Sequence, residues 1–169
     1  MRLYLIRHAT AVPHGTPDYP DDAQRPLTDE GVAEARQVGK GLKRLKLDIH
    51  LVVTSPYLRA RQTAEEVARI FGLADSIEEL DELRSEVKPS ETSQALKRLS
   101  KREQVLFVGH EPHLSGWIAE LVADHGKMNC LMKKAAVACV EIERIPPPQG
   151  SGTLRWLMTP KHLSLIGRV

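Results

Sequence analysis

Cysteine is nearly absent: Cys130 and Cys139 are the two thiols in 169 residues. They lack the CxxC spacing of a metal or redox site and are too few for a disulfide framework, which fits a reducing, cytoplasmic setting. Aromatic residues make up only 4% of the chain, leaving no patch of the kind that anchors an obligate dimer, so a monomer is expected. Neither sign of charge dominates, with 24 Lys plus Arg against 22 Asp plus Glu. The basic residues are scattered rather than banked, which argues against nucleic-acid and membrane-surface partners. No apolar run reaches the roughly 18 residues needed to cross a bilayer. The opening Met1-Arg-Leu-Tyr-Leu-Ile-Arg-His8 is interrupted by charge before it is long enough for a secretory signal.

What remains is an ordinary globular composition, 41% hydrophobic and 27% charged, in a chain the length of one domain spanning residues 1–169. Leu3 to Ile6 reads as a buried strand that ends abruptly at Arg7-His8. The loop from Ala11 to Pro26 holds four prolines and three aspartates and leads to Thr28, a helix cap followed by Asp29 and Glu30. Val32, Ala35, Val38, Gly39, Leu42 and Leu45 then recur at helical spacing. Leu51 to Val53 is a second strand, with Ser55-Pro56 predicted to open a helix whose first turn holds Arg59 and whose stop is Gly72.

A weaker helix is predicted over Thr92 to Leu99, and Val105 to Val108 repeats the first strand's pattern by running into Gly109-His110. Leu114, Ile118, Leu121 and Val122 mark another amphipathic helix. Ala138 to Ile142 and Leu154 to Met158 read as two late edge strands joined across Pro146-Pro147-Pro148 and Gly150. Alternating strands and helices imply an α/β fold, a single-domain three-layer sandwich with a mostly parallel central sheet flanked by helices.

Ligands of such sheets sit beyond the carboxyl ends of the strands, where this chain delivers Arg7-His8, Ser55 to Arg59 and Gly109-His110. Two guanidiniums and two imidazoles around one cavity suit a phosphoryl group, because each Arg fork donates paired charge-assisted hydrogen bonds to its oxygens. The His110-Glu-Pro-His113 run lacks the spacing of a zinc helix and has no accompanying ligand cluster, so neither a metal nor a cofactor is expected. His14 shares the first loop with the mouth of the site; His50, His125 and His162 read as surface residues and the cysteines as apolar fillers.

Leu-Ile-Arg7-His8-Ala-Thr resembles the RHG/RHA signature of the histidine phosphatase, or phosphoglycerate mutase-like, superfamily. Arg25-Pro-Leu-Thr28 with Gly31, Ser55-Pro-Tyr-Leu-Arg59-Ala-Arg-Gln-Thr63 and Val-Gly109-His110-Glu-Pro-His113-Leu are similar in order and spacing to the small phosphohistidine phosphatases of the SixA type. This resemblance implies His8 as the nucleophile that accepts the phosphoryl group, with Arg7, Arg59 and His110 holding its oxygens. Arg25 matches a basic position of the family and is placed either on phosphate or in an exposed pair with Asp21 or Asp22. Glu82, in Leu80-Asp-Glu-Leu, resembles the Leu-x-Glu segment where larger relatives carry a proton donor. Asp18 competes for that role, and a phosphohistidine substrate needs no strong acid because imidazole leaves readily.

Only about ten residues separate Phe71 from Glu82, where members that take bulky metabolites resemble this core with a lid inserted. The expectation is therefore a metal-independent phosphatase without a sizeable lid, acting on phosphohistidine of a phosphorelay or phosphocarrier protein. The alternatives are a small-molecule phosphomonoesterase or a catalytically idle phosphate-binding module on the same fold.

Overall fold

The computed structural model describes residues 1–168. Six strands form one sheet: β1 (Arg2–Arg7), β2 (Leu51–Thr54), β3 (Ile77–Glu79), β4 (Gln104–Gly109), β5 (Val137–Glu141) and β6 (Thr153–Met158). Their order across the sheet is β3-β2-β4-β1-β5-β6, parallel from β3 through β1 and antiparallel at both β1/β5 and β5/β6. The helices are α1 (Asp29–Arg44), α2 (Leu58–Phe71), α3 (Pro89–Ala95), α4 (His113–Val122) and α5 (Pro160–Gly167).

The inner strands β1, β2, β4 and β5 are apolar on both faces because helices cover both, as a parallel sheet requires. Tyr4, Ile6, Val52, Leu106 and Val108 face a core completed by Ala35, Val38 and Leu42 of α1, Ala64 and Val67 of α2 and Leu163 of α5. Leu3, Leu5, Val53, Val105 and Phe107 face the other core, built with Leu114, Trp117, Ile118 and Leu121 of α4. The single-domain, three-layer α/β architecture is the expected one.

Thr28 caps α1 as predicted, its hydroxyl accepting the Gly31 N–H at 3.1 Å, and acids occupy the first turn and Lys43 and Arg44 the last. Gly31 is there for space: a Cβ would meet the Thr10 carbonyl oxygen at 1.8 Å. That close approach draws the start of α1 against the chain leaving β1, and Thr28 N–H also donates to Thr10 O at 3.0 Å. Gly72 ends α2 with φ of 75°.

Three expectations need correction. The helix after β2 begins at Leu58, not at Ser55-Pro56, with Tyr57 as its cap, although Arg59 still lies in its first turn. The weak helix is α3 over Pro89–Ala95, starting earlier than predicted, with a 3-10 turn at Leu96–Leu99. β5 is not an edge strand, since it lies between β1 and β6 and buries Val137 through Val140. Two elements lie beyond the sequence reading: β3 is three residues, two of them acidic, and α5 opens at Thr159-Pro160, a cap and first-turn proline that do announce a helix.

Candidate active site

The three strand ends meet because β4 lies between β1 and β2. Arg7 is in register with Gly109, His8 N–H donates to Gly109 O at 2.9 Å, and Ser55 N–H donates to Val108 O at 3.0 Å. The next side chains along each strand therefore share one corner, and the His8 and His110 ring centroids lie 5.2 Å apart. A turn before β5 fastens the same corner: Ala135, at φ of 53°, donates its N–H to Arg7 O at 3.0 Å. Thr63 ties it to α2, accepting Ala9 N–H at 3.1 Å while donating to Arg59 O at 2.7 Å.

His8 is 7% exposed. Its Nδ1 lies 2.8 Å from its neighbour's carbonyl, Ala9 O, which fixes the proton on Nδ1 and leaves the lone pair on Nε2. Arg59 Nε donates toward that Nε2 at 3.3 Å. Burial, then the charges of Arg59, Arg7 and Arg25, push the imidazole down to about 3 against the opposing pull of the Ala9 hydrogen bond. His8 is thus a neutral, buried imidazole with its free electron pair on a defined nitrogen.

His110, 1% exposed, meets Ser55 Oγ through Nε2 at 2.8 Å. Ser55 Oγ also accepts Tyr57 N–H at 3.4 Å, and when its own proton is turned to His110 Nε2 the ring proton lies on Nδ1. Nδ1 is buried and has no partner within the protein, and the same holds for Nε of Arg7. Two buried donors without acceptors in one corner mark a place for an anion. Burial, reinforced by His8 and Arg59, pushes His110 down to about 2. The Tyr57 ring packs on His110 at 4.9 Å, and the Arg59 guanidinium lies 5.0 Å from the Tyr57 centroid.

Arg59 is 4% exposed, and Arg7 donates through NH1 to Met132 O at 2.9 Å. Arg25 joins the cluster indirectly: its Nε donates to Asp22 Oδ1 at 2.7 Å, and Asp22 Oδ2 accepts from Arg59 NH2 at 3.0 Å. Of the two readings of Arg25, the structure shows the pair with Asp22, with the Arg25 side chain 12% exposed rather than open to solvent. Asp22 was not singled out as a site residue; three aspartates in one loop look alike until the loop's path is known.

Glu82 is not brought to this corner. Its carboxylate is held by Arg98 NH2 at 2.8 Å and NH1 at 3.3 Å, in a cleft with Ser90, Glu91 and Gln94. That placement does not support its expected part as proton donor to the substrate's leaving group. Asp18 is exposed in the first loop. Among the described residues no group of three or more His, Cys, Asp or Glu side chains is placed to hold a metal, and no helix is long and apolar enough to cross a membrane.

Comparison with known proteins agrees with this geometry. Residues 3–88 match the model of the histidine phosphatase superfamily, branch 1. The chain is 33% identical over 167 residues to the phosphohistidine phosphatase SixA of Escherichia coli strain K12, covering 98% of each. A tungstate complex of the protein histidine phosphatase SixA superposes with a TM-score of 0.82 at 33% identity, over 96% of this chain and 99% of that one. The α-ribazole phosphatase of Shigella flexneri shares the fold at 22% identity and a TM-score of 0.65, over 95% and 97% of the two chains. With its Arg7-His8 pair, Arg59 and His110 gathered at the sheet's carboxyl edge, the chain belongs to the histidine phosphatase superfamily, branch 1, and is a phosphatase.

Proposed function

We propose that this chain removes the phosphoryl group from phosphohistidine on a signalling or phosphocarrier protein in the cytoplasm, without a metal, through a phosphohistidine formed on its own His8. The observation that carries the reading is the state of His8: neutral, buried, with its lone pair on Nε2 beside Arg59. That nitrogen attacks phosphorus, a new N–P bond forms, and the N–P bond to the substrate imidazole breaks, its electron pair returning to the leaving ring nitrogen. Water then cleaves the enzyme's N–P bond, releasing inorganic phosphate and restoring His8.

Charge developing on the phosphoryl oxygens is met by Arg59, Arg7 Nε and His110 Nδ1, with Arg25 in reserve behind Asp22. With the Ser55 hydroxyl proton turned to Nε2, neutral His110 donates from Nδ1. An imidazole leaving group lessens the need for an acid, which accords with Glu82 lying elsewhere.

A protein substrate is supported by the surroundings. Residues 72–76 alone join α2 to β3, so no lid is inserted there. A cleft of about 460 Å³ lies between Pro112, Ser115 and Gly116 at the start of α4, just after His110 in sequence, and Met128, Cys130 and Leu131. Leu131 is 74% exposed and precedes Met132, whose carbonyl holds Arg7. An exposed leucine with half-buried Met128 and Cys130 beside it gives a macromolecular partner an apolar foothold that a small polar ester would not use. SixA, the relative at 33% identity, bears the name phosphohistidine phosphatase.

The test is phosphate release from a phosphohistidyl carrier protein and from an aryl phosphate, side by side in chelator. Fast release from the carrier protein is expected. Release from the aryl ester alone would move the reading to a small-molecule phosphomonoesterase, and silence on both would leave a phosphate-binding module.

A further inference from the structure

Asp22 reaches over the phosphoryl corner from the first loop. It sits in a 3-10 turn over Asp22–Gln24 that Asp21 caps by accepting Ala23 N–H at 2.9 Å. The loop is pinned by the Ala11–Leu27 bridge and by Arg25 NH1 donating to Val12 O. Asp22 thus arrives on a braced turn rather than a free tail.

Its contacts engage the whole Arg59 fork. Arg59 NH1 donates to Asp22 O at 2.7 Å, NH2 donates to Asp22 Oδ2 at 3.0 Å, and Nε is turned to His8 Nε2 at 3.3 Å. The other carboxylate oxygen, Oδ1, accepts from Arg25 Nε at 2.7 Å and from His14 Nδ1 at 2.8 Å. One carboxylate therefore bridges two guanidiniums, the position a phosphate takes between two forks. The Arg59 side chain is 5% exposed and that of Asp22 36%, so the acid covers the fork from the solvent side. Burial alone would raise its carboxyl, but hydrogen bonds from Arg25 and His14 and the two guanidinium charges hold it well below the usual carboxylate range, so it is an anion throughout the working pH range.

We infer that Asp22 is an internal counter-anion for Arg59 and Arg25, a positioning residue that sets how tightly the site holds phosphate. The inference rests on the phosphoryl-site reading above. A phosphoryl dianion approaching Arg59 meets the Asp22 charge on the same fork. Each terminal nitrogen of Arg59 keeps one further N–H, so phosphate can engage it, but in competition with a fixed like charge. Asp22 therefore weakens the grip on substrate and on product phosphate alike, and it keeps Arg59 in place between turnovers. A purely structural Asp22 would do the reverse, since losing it would disorder the fork and loosen phosphate.

The experiment is titration of inorganic phosphate into wild-type protein, Asp22→Asn and Asp22→Ala by calorimetry, with kcat and KM on an aryl phosphate for each. Both variants are expected to bind phosphate on the order of ten-fold more tightly. KM should fall and kcat should not rise with it, because product leaves more slowly. Unchanged or weaker phosphate binding in Asp22→Asn, which keeps a side-chain oxygen for Arg59, overturns the inference while wild-type turnover leaves the phosphatase reading standing. Wild-type protein that neither binds phosphate nor turns over would bring down both.

Discussion

The corner around His8 and the cluster around His113 use the same residue types to opposite ends. His113, three positions after His110, has Nδ1 at 2.9 Å from Val87 O and Nε2 at 3.0 Å from Thr92 Oγ1. Thr92 donates on to Glu82 O at 2.6 Å, and the Glu82 carboxylate is closed by Arg98. Each ring nitrogen of His113 and the Glu82 acid thus faces a polar group of the protein, while Arg84 Nε in the same segment is buried without one. In the His8 corner, by contrast, His110 Nδ1 and Arg7 Nε are buried with no partner and His8 Nε2 offers a lone pair. Polar groups that satisfy one another hold a segment down; buried groups left unsatisfied cost stability and persist where a ligand completes them. The two histidines of the His110-Glu-Pro-His113 run thus separate into one that faces the candidate site beside His8 and one that ties the Glu82–Thr92 segment to α4.

Substitutions that treat the two clusters alike would break this contrast. Outside His8 itself, Arg59→Lys is expected to have the largest effect, lowering kcat/KM by ~10²-fold, because a point charge cannot reproduce the fork that reaches Asp22 and His8 together. Steady-state kinetics checks it, and a loss below three-fold would remove Arg59 from phosphate binding.

Acid stability should come next. His8 and His110 have native values pushed to about 3 and about 2, below the 6.5 of a free imidazole. The unfolded chain therefore binds more protons than the native one below that value, and stability falls as pH drops from 6.5 toward 3. Melting temperature against pH should show this slope, with His110→Gln making it shallower by about one proton. A slope unchanged in the variant would contradict a neutral His110.

Glu82→Gln should have the smallest effect. The pair with Arg98 is partly exposed, Arg98 at 65%, so stability should fall by under ~1 kcal/mol and turnover by less than about two-fold. A large loss confined to turnover would restore Glu82 as the proton donor.

Much of this contrast was legible before the fold. Apolar runs that stop at Arg7-His8 and Gly109-His110 place those residues at strand ends, and a parallel sheet then brings them together. Thr28 and Gly72 mark their helix ends by local chemistry alone. What failed to show is non-local. Ser55 has the side chain of a helix cap, yet its hydroxyl serves His110, so the helix starts at Leu58. β5 alternates like an edge strand in sequence but is buried by β6, which pairs with it across the Pro146–Pro148 connection. Leu80-Asp-Glu-Leu looks like a donor segment until Arg98 closes on Glu82. Asp22 acquires meaning only once the first loop lays it across Arg59.

The central claim is that neutral His8 Nε2 takes the phosphoryl group, and rapid-quench trapping tests it most directly. Protein mixed with a labelled phosphohistidyl carrier, quenched in alkali and mapped by mass spectrometry should carry acid-labile phosphate on His8, at Nε2, and none in His8→Ala. Turnover that persists in His8→Ala, or label that settles on another residue, would contradict the account.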